Sequence, residues 1–553
     1  MPKANSAIRG PWRRLLGLLK LERKDIVQIA YYAIFQGVIG LSLPLGIQAI
    51  INLMQGAQVS VSWVVLVVLV TIGVILYGVL QIMQMRIIET IQQRIFTRAS
   101  FDLVYRFPKI RTSVLDNLYL PELANRFFDT LTIQKGLSKL LIDVPTAVLQ
   151  IIFALILLSF YHPFFIIFGF ILLLLIYMVY KYTINIGIET SLVESKYKYK
   201  VAHWLEEVAR SVIGFKISGK SNLALKKNDK LVKSYIDARE SHFKVLVIQL
   251  IQMISFKVLI TAGLLVIGGL LVINQQMNLG QFVAAEIIII LVMNSVEKLT
   301  AGLEVFYDVL TSIEKLGQIV DKPIESQKGE KPDLTTLNIE FNNVSYSFKN
   351  TRDVINDVNF SIGQRERIII RGKSGAGKST LLRLIAGIIA PTQGSININS
   401  LALSSLSINH YRSHLGIVLT DQTPFEGTIR DNIVFGQPDL SDEQIIKVFE
   451  DIKLIDFLKA QPDGLNTILY PEGKQIPHTI AKKIILARAI INDPKLLILE
   501  EPFNQFDPSQ AKEIIDFLTD KKRNWSLVVV DQNSYWDQSC STVMELEKGY
   551  LKN

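Results

Sequence analysis

Gly372-Lys373-Ser374-Gly375-Ala376-Gly377-Lys378-Ser379-Thr380 fits the pattern G-x-x-x-x-G-K-[ST] at every fixed position. The run before it, Arg367-Ile368-Ile369-Ile370, reads as a strand, and residues 381–388 read as a helix. A loop in that setting is suited to holding phosphate. Glycines let the backbone curl until successive N–H groups point at phosphate oxygens, and the following helix presents its positive dipole end. Gly372, Ser374, Gly375, Ala376, Gly377, Lys378, Ser379 and Thr380 are therefore expected to bind a nucleotide. Lys378 is expected to reach the β- and γ-phosphates, and the Ser379 hydroxyl to ligate magnesium.

Around this loop the composition is bimodal. Long apolar runs dominate before about residue 322, whereas short strands and helices alternate after about residue 337. The whole chain is 49% hydrophobic over 553 residues, with a mean hydropathy of +0.31, high for a purely soluble protein. The formal charge of +9 is gathered in particular loops rather than in an RNA or DNA module. Basic cytoplasmic loops of a membrane protein account for it, with no nucleic acid as partner. A single cysteine, Cys540, excludes an intrachain disulfide or a zinc cluster and reads as an inert thiol. No cleavable signal peptide is expected. Trp12-Arg13-Arg14-Leu15-Leu16-Gly17-Leu18-Leu19-Lys20 is basic and amphipathic instead, suited to membrane lipid at the inner surface.

Six apolar segments are readable, at 26–54, 61–83, 141–160, 164–180, 245–273 and 282–293. Most reach the roughly 20 residues a span needs; the last is short without its polar continuation. Links 55–60, 161–163 and 274–280 are short and free of Lys and Arg, whereas 86–139 and 181–244 are long and basic. The positive-inside rule puts the long links and both termini in the cytoplasm. Their helical composition suggests spans that continue into the cytoplasm and carry contact turns near Leu120-Pro121-Glu122-Leu123 and Ile213-Gly214-Phe215-Lys216. Ordinary solvated hairpins are the alternative. Lys257 and Glu286 are the conspicuous ionisable residues within spans. Counted from the short outer turns, their depths differ by roughly 16 Å, which argues against a pair. Lys257 is expected to snorkel toward the cytoplasm. Glu286, with Asn294, faces either a central cavity or the membrane interface.

A six-span domain followed by a P-loop domain resembles an ATP-binding cassette (ABC) exporter half-transporter, over essentially the whole chain. Further stretches carry the resemblance. Val344-Ser345-Tyr346-Ser347-Phe348 is similar to the strand ending in the adenine-stacking aromatic, here Phe348. Gly427-Thr428-Ile429-Arg430-Asp431-Asn432-Ile433 resembles the segment after the glutamine loop. Leu486-Ala487-Arg488-Ala489, Asp493-Pro494 and Leu496-Leu497-Ile498-Leu499 resemble the run into the Walker B site, and Asn504-Gln505-Phe506-Asp507 the D-loop. In the membrane half, 41–48 and 106–110 faintly resemble the bacterial type I secretion and bacteriocin exporters. The short stretch before the first span implies that the peptidase domain of some of those is missing.

The catalytic positions depart from the family pattern. The magnesium-ligating glutamine falls at Thr420, with Gln422 two residues away as a substitute. The signature Leu-Ser-Gly-Gly-Gln is Ile476-Pro477-His478-Thr479-Ile480, without the serine hydroxyl or either glycine. Walker B ends in Glu500 rather than aspartate, and Glu501 takes the general-base position. The switch histidine is Asp531. Losing one preorganised donor can cost roughly 100- to 1000-fold in rate, and an aspartate beside the γ-phosphate adds repulsion.

The expected fold class is multidomain. An all-α six-helix transmembrane domain is followed by an α/β P-loop nucleotide-binding domain. The expected boundaries are a cytoplasmic amphipathic segment 1–24, a transmembrane domain 25–322, a linker 323–336 and a nucleotide-binding domain 337–553. The resemblance implies ATP and Mg2+ as cofactors, a homodimer or a heterodimer with another half-transporter, and a periplasmic adaptor and outer-membrane channel as further partners. It also implies a multi-pass protein of the bacterial inner membrane with a cytoplasmic nucleotide domain, exporting a substrate that the sequence does not identify, with a peptide or protein as one candidate. The altered positions imply weak or absent hydrolysis. A non-hydrolysing ATP-binding scaffold or regulator, and the degenerate half of a heterodimer, are the alternatives.

Overall fold

The computed structural model describes residues 10–55, 61–115, 119–219, 221–348, 353–437 and 439–552. Residues 1–9 of the amphipathic segment and 56–60 of the first outer turn lie outside the described residues. Two compact units emerge. One takes the described residues through Lys109 and from 119 to Lys322; the other takes 110–115 and those from Pro323 onward.

In the first unit, six helical stretches among the described residues are long and apolar enough to cross a membrane: Arg23–Gln55, Val61–Lys109, Leu120–Ser159, Phe164–Arg210, Leu223–Ile273 and Leu279–Val320. They outlast their apolar segments. The helix Val61–Arg106 has 46 residues, about 69 Å at 1.5 Å per residue and more than twice the hydrocarbon thickness. The sixth segment, short in sequence, belongs to a 42-residue helix with a built start. Gln281 N donates to Asn278 Oδ1 at 2.7 Å, and Asn278 N donates to Gln281 Oε1 at 2.9 Å. That reciprocal box satisfies two N–H groups at the helix start, and the helix then runs unbroken past Met293 to Val320, so the polar continuation joins the span. Leu120–Asn125 and Val212–Ile217 are short helices at the two expected contact turns.

Small residues and paired polar groups set the helix packing. Gly187 lies directly beneath the ring of the fully buried Tyr307. Gln249 Nε2 donates to Tyr307 Oη and to Thr183 Oγ1, both at 2.9 Å. One amide thus ties three long helices together without leaving an apolar-buried polar group unpaired. Lys257 does not snorkel alone: its ammonium is 3.0 Å from Glu297 Oε1, further along the helix that carries Glu286. Both lie a similar number of residues from the link 274–278 that joins their helices, and equal depth permits the pair.

The amphipathic segment forms the helix Pro11–Leu21 and is bound to protein as well as suited to lipid. Arg14 pairs with Glu314 and Asp321, Leu15 is buried, and the rings of Trp12 and Phe306 are 5.0 Å apart.

The second unit contains two main sheets. β1 (Ile339–Ser347), β2 (Asp353–Ile362), β4 (Gln393–Ile398) and β5 (Leu401–Ala402) form an antiparallel sheet ordered β2-β1-β4-β5. β3 (Arg367–Arg371), β6 (Leu415–Val418), β9 (Leu496–Glu500), β10 (Ser526–Val530), β11 (Thr542–Glu547) and β12 (Tyr550–Lys552) form the other, ordered β12-β11-β3-β10-β9-β6. Pairings from β11 through β6 are parallel. Parallel strands buried on both faces read as continuous apolar runs, as Leu496–Glu500 and Ser526–Val530 do, buried at every residue. The expected linker 323–336 packs onto this unit. Arg412 contacts both carboxylate oxygens of Glu325 at 2.7 and 2.9 Å, Ser407 N donates to Glu330 O at 2.9 Å, and His410 Nε2 is 2.7 Å from Pro332 O.

Gly187→Leu is expected to lower the melting temperature of the detergent-held protein by overpacking against Tyr307, a cost of about 1–3 kcal/mol. Gly78→Leu meets open space and is expected to leave it unchanged; thermal unfolding followed by size-exclusion fluorescence checks both.

Candidate nucleotide site

Parallel register brings the functional segments to one sheet edge. Ile370 of β3 pairs with Val530 of β10, Val530 with Glu500 of β9, and Val418 of β6 with Leu499. The chain leaving each strand at that end supplies one part of the site: Gly372 onward after β3, Glu501 after β9, Asp531 after β10, and Thr420 after β6. Carboxyl ends of parallel strands are where open α/β sheets bind ligands.

The phosphate loop has the geometry its glycines allow. Gly375 and Gly377 have φ of 80° and 105°, and a Cβ on Gly377 would stand 2.8 Å from Val354 O. Only glycine takes such a position without strain. The helix Lys378–Ile385 starts immediately afterward. Lys378 Nζ donates to Gly372 O at 2.7 Å and Lys373 O at 3.0 Å, so the ammonium is held inside its own loop. Ala376 and Thr380 are buried; Ser374, Gly375 and Ser379 are exposed. Phe348 follows β1, and its ring meets that of Tyr346 edge-on at 5.1 Å.

The altered positions have partners of their own. Thr420 donates from N and from Oγ1 to Glu500 Oε2, at 3.1 and 3.2 Å. Gln422 is turned back, its Oε1 accepting from Leu419 N at 3.2 Å. Thr420 rather than Gln422 is therefore the residue on the Walker B carboxylate. Glu500 is buried. Glu501 follows with φ of 41°, and its N–H donates to Val530 O at 2.8 Å, fixing its backbone at the strand edge. Ser379, Thr420 and Glu500 are hard oxygen donors of the kind Mg2+ takes, usually one or two beside substrate phosphates. The oxygens present fit such an ion, and Ser379 and Glu500 are the residues that would hold it.

The Asp531 carboxylate has three hydrogen-bond donors of its own within the chain. Its Oδ1 accepts from Gln532 N at 2.6 Å and Asn533 N at 3.0 Å, and its Oδ2 from Trp536 Nε1 at 2.9 Å. Arg371 ties the same loop down through Asn533 O at 2.9 Å and Asp537 at 2.6 Å. The carboxylate closes a turn over a fully buried indole. Asp507, in the D-loop stretch, caps the helix Pro508–Leu518 by accepting from Ser509 N at 2.9 Å, and the bonds from Ser509 hold its carboxyl below the usual range.

The signature position opens the helix His478–Ile490, with Pro477 at its N-cap and no side-chain cap. Lys482 on this helix was not singled out from sequence. It is buried, and its ammonium donates to Thr420 O at 3.1 Å and Leu419 O at 3.4 Å. Burial pulls its pKa down, while Asp421, Glu500 and Glu501 oppose that shift. Two adjacent lysines interrupting the apolar run from Ile480 to Ile491 were the available signal. Further along, Arg488 donates to Asn432 O at 2.6 Å and Oδ1 at 3.0 Å, joining two stretches the sequence marked separately. Burial pushes the Cys540 thiol up to about 12, in keeping with an inert role.

The family described as ABC transporter matches residues 355–504. Residues 355–504 are an ABC transporter domain. Such a domain binds ATP. The chain is 29% identical over 328 residues to the toxin RTX-I translocation ATP-binding protein of Actinobacillus pleuropneumoniae, covering 58% of this chain and 46% of that one. It is 30% identical over 331 residues to the alpha-hemolysin translocation ATP-binding protein HlyB of Escherichia coli, with the same 58% and 46% coverage. The chain thus spans about half the length of these curated relatives, and is homologous to them over that part. A bacterial Atm1-family ABC exporter solved with ATP bound superposes with a TM-score of 0.83 at 16% identity, covering 97% of this chain and 95% of that one. The fold is therefore that of an ABC exporter, six long helices followed by the nucleotide domain, in an integral multi-pass membrane protein.

Asp531→Ala is expected to destabilise the ABC domain by about 1–3 kcal/mol, because the buried Trp536 Nε1 loses its acceptor. Asp531→Asn keeps an acceptor oxygen and is expected to cost less, as read by urea unfolding monitored through tryptophan fluorescence.

Proposed function

We propose that this chain is the ATP-binding membrane subunit of a dimeric ABC exporter that moves a peptide or protein outward across a bacterial inner membrane, with weak or absent ATP hydrolysis. The observation that carries the weak hydrolysis is Pro477 at the N-cap of His478–Ile490. The resemblance assigns this helix start to the phosphate of a partner domain's nucleotide. Here it lacks the serine hydroxyl, both glycines and one N–H.

The chain's own residues support binding better than turnover. Curled N–H groups from Gly375 to Thr380 and the dipole of Lys378–Ile385 favour phosphate. Lys378 supplies a positive charge within the loop, and Phe348 is the aromatic residue that the resemblance assigns to the base. Bound magnesium would neutralise developing charge on the phosphates, held by Ser379 and Glu500. Glu501 stands at the strand edge where a base for an attacking water belongs. Asp531 and Thr420 are engaged with their own surroundings instead.

The homology to translocation proteins supports export, and the positive-inside pattern supports cytoplasmic termini with the nucleotide domain inside. An adaptor and an outer-membrane channel are the further partners we propose. A second reading, an ATP-gated scaffold that binds nucleotide without pumping, is favoured by the same proline.

Radiolabelled ATP binding and phosphate release, measured on one nanodisc-held preparation, test the reading. Lys378→Ala is expected to weaken binding by at least about tenfold, ~1.4 kcal/mol, and wild-type turnover to stay no higher than that of Glu501→Gln. Robust wild-type turnover abolished by Glu501→Gln would overturn the weak-hydrolysis proposal.

A further inference from the structure

The helix that replaces the signature carries a cation into the Walker B pocket. Lys482 is 8% exposed, and its ammonium donates to Thr420 O at 3.1 Å and Leu419 O at 3.4 Å. Thr420 spends both of its donors on Glu500 Oε2, at 3.1 and 3.2 Å. Asp421, next in the chain, is held at 3.1 Å by Arg383 from the helix that follows the phosphate loop. The short loop after β6 is therefore pinned from three sides: by β9, by the phosphate-loop helix, and by the helix His478–Ile490.

Three carboxylates, Asp421, Glu500 and Glu501, act on Lys482 here, and Arg383 pairs with Asp421, so two cations stand against three negative charges. A buried ammonium on carbonyl oxygens alone is costly, because its desolvation is only partly repaid by neutral acceptors. The carboxylates on the other side of the loop supply the missing attraction. The same carboxylates would repel the β- and γ-phosphates of an incoming nucleotide, which is the charge problem a divalent ion relieves.

We propose that Lys482 is the resident counter-ion of this pocket, a positioning residue that holds the 419–422 loop on Glu500 and supplies part of the positive charge a divalent cation otherwise brings, so that ATP binds with little dependence on magnesium. This rests on the reading above that the site binds ATP. Glu500 Oε2 already accepts two bonds from Thr420, and an ion gains less by ligating that oxygen than it would from a free carboxylate. Nucleotide affinity is thereby only weakly coupled to magnesium at the protein's side of the site.

The test is equilibrium binding of radiolabelled ATP to the nanodisc-held full chain, in excess Mg2+ and in EDTA, for wild type, Lys482→Met and Lys482→Arg. For wild type and Lys482→Arg the Kd is expected to differ by less than about 3-fold between the two conditions, and for Lys482→Met by at least about 10-fold. A structural role alone would change stability in Lys482→Met without changing the ratio of the two affinities. A wild-type ratio above about 10-fold, with saturable binding in Mg2+, overturns the inference and leaves ATP binding standing. Equal ratios in all three proteins overturn the role of Lys482. No saturable binding in either condition overturns the ATP reading and this inference with it. If Lys482→Met fails to fold, the wild-type ratio still decides.

Discussion

β3 lies between β10 and β11, parallel to both, and the phosphate loop leaves from its carboxyl end. The rest of the nucleotide site depends on that placement. Register across β3, β10, β9 and β6 brings the ends of four strands level, so residues from four distant parts of the chain share one edge. The strands are buried on both faces by apolar side chains, with Ile368, Ile369, Ile370, Leu497, Ile498, Val528 and Val529 fully enclosed. A slip of one residue would move charged termini into that interior. The sheet that builds the site therefore also fixes where its carboxylates stand.

At that edge, residues that stand where catalytic groups are expected are used to hold structure. Thr420 satisfies Glu500 through two bonds, Asp531 closes a turn over Trp536, and Lys482 grips the carbonyls of the loop between them. Each bond gives a buried or half-buried polar group a partner, which the interior demands whatever the chemistry. The result is a sheet edge whose polar groups are held largely by one another. The membrane half follows the same rule. Gln249 serves two helices at once, Lys257 meets Glu297, and Arg14 meets Glu314 and Asp321. These pairings tie neighbouring helices together through polar side chains.

Local patterns determined much of this protein by themselves. The spacing of Gly372, Gly377, Lys378 and Ser379 is a contiguous signal, because a phosphate cradle is built by neighbouring backbone groups, and it was legible without the fold. So were the apolar spans, since each must satisfy its backbone alone. The tertiary structure decided what those residues touch. Asp531 was read as a charge beside the phosphate, yet Trp536 and Arg371 draw it into a turn. Gln422 was a candidate ligand until the loop turned it back on Leu419. Lys257 found Glu297 because two helices bring them to one depth, and Lys482 found Thr420 across 62 positions of chain. Long-range partners of polar side chains depend on which surfaces face each other after packing, and no periodicity or spacing in the chain encodes that directly.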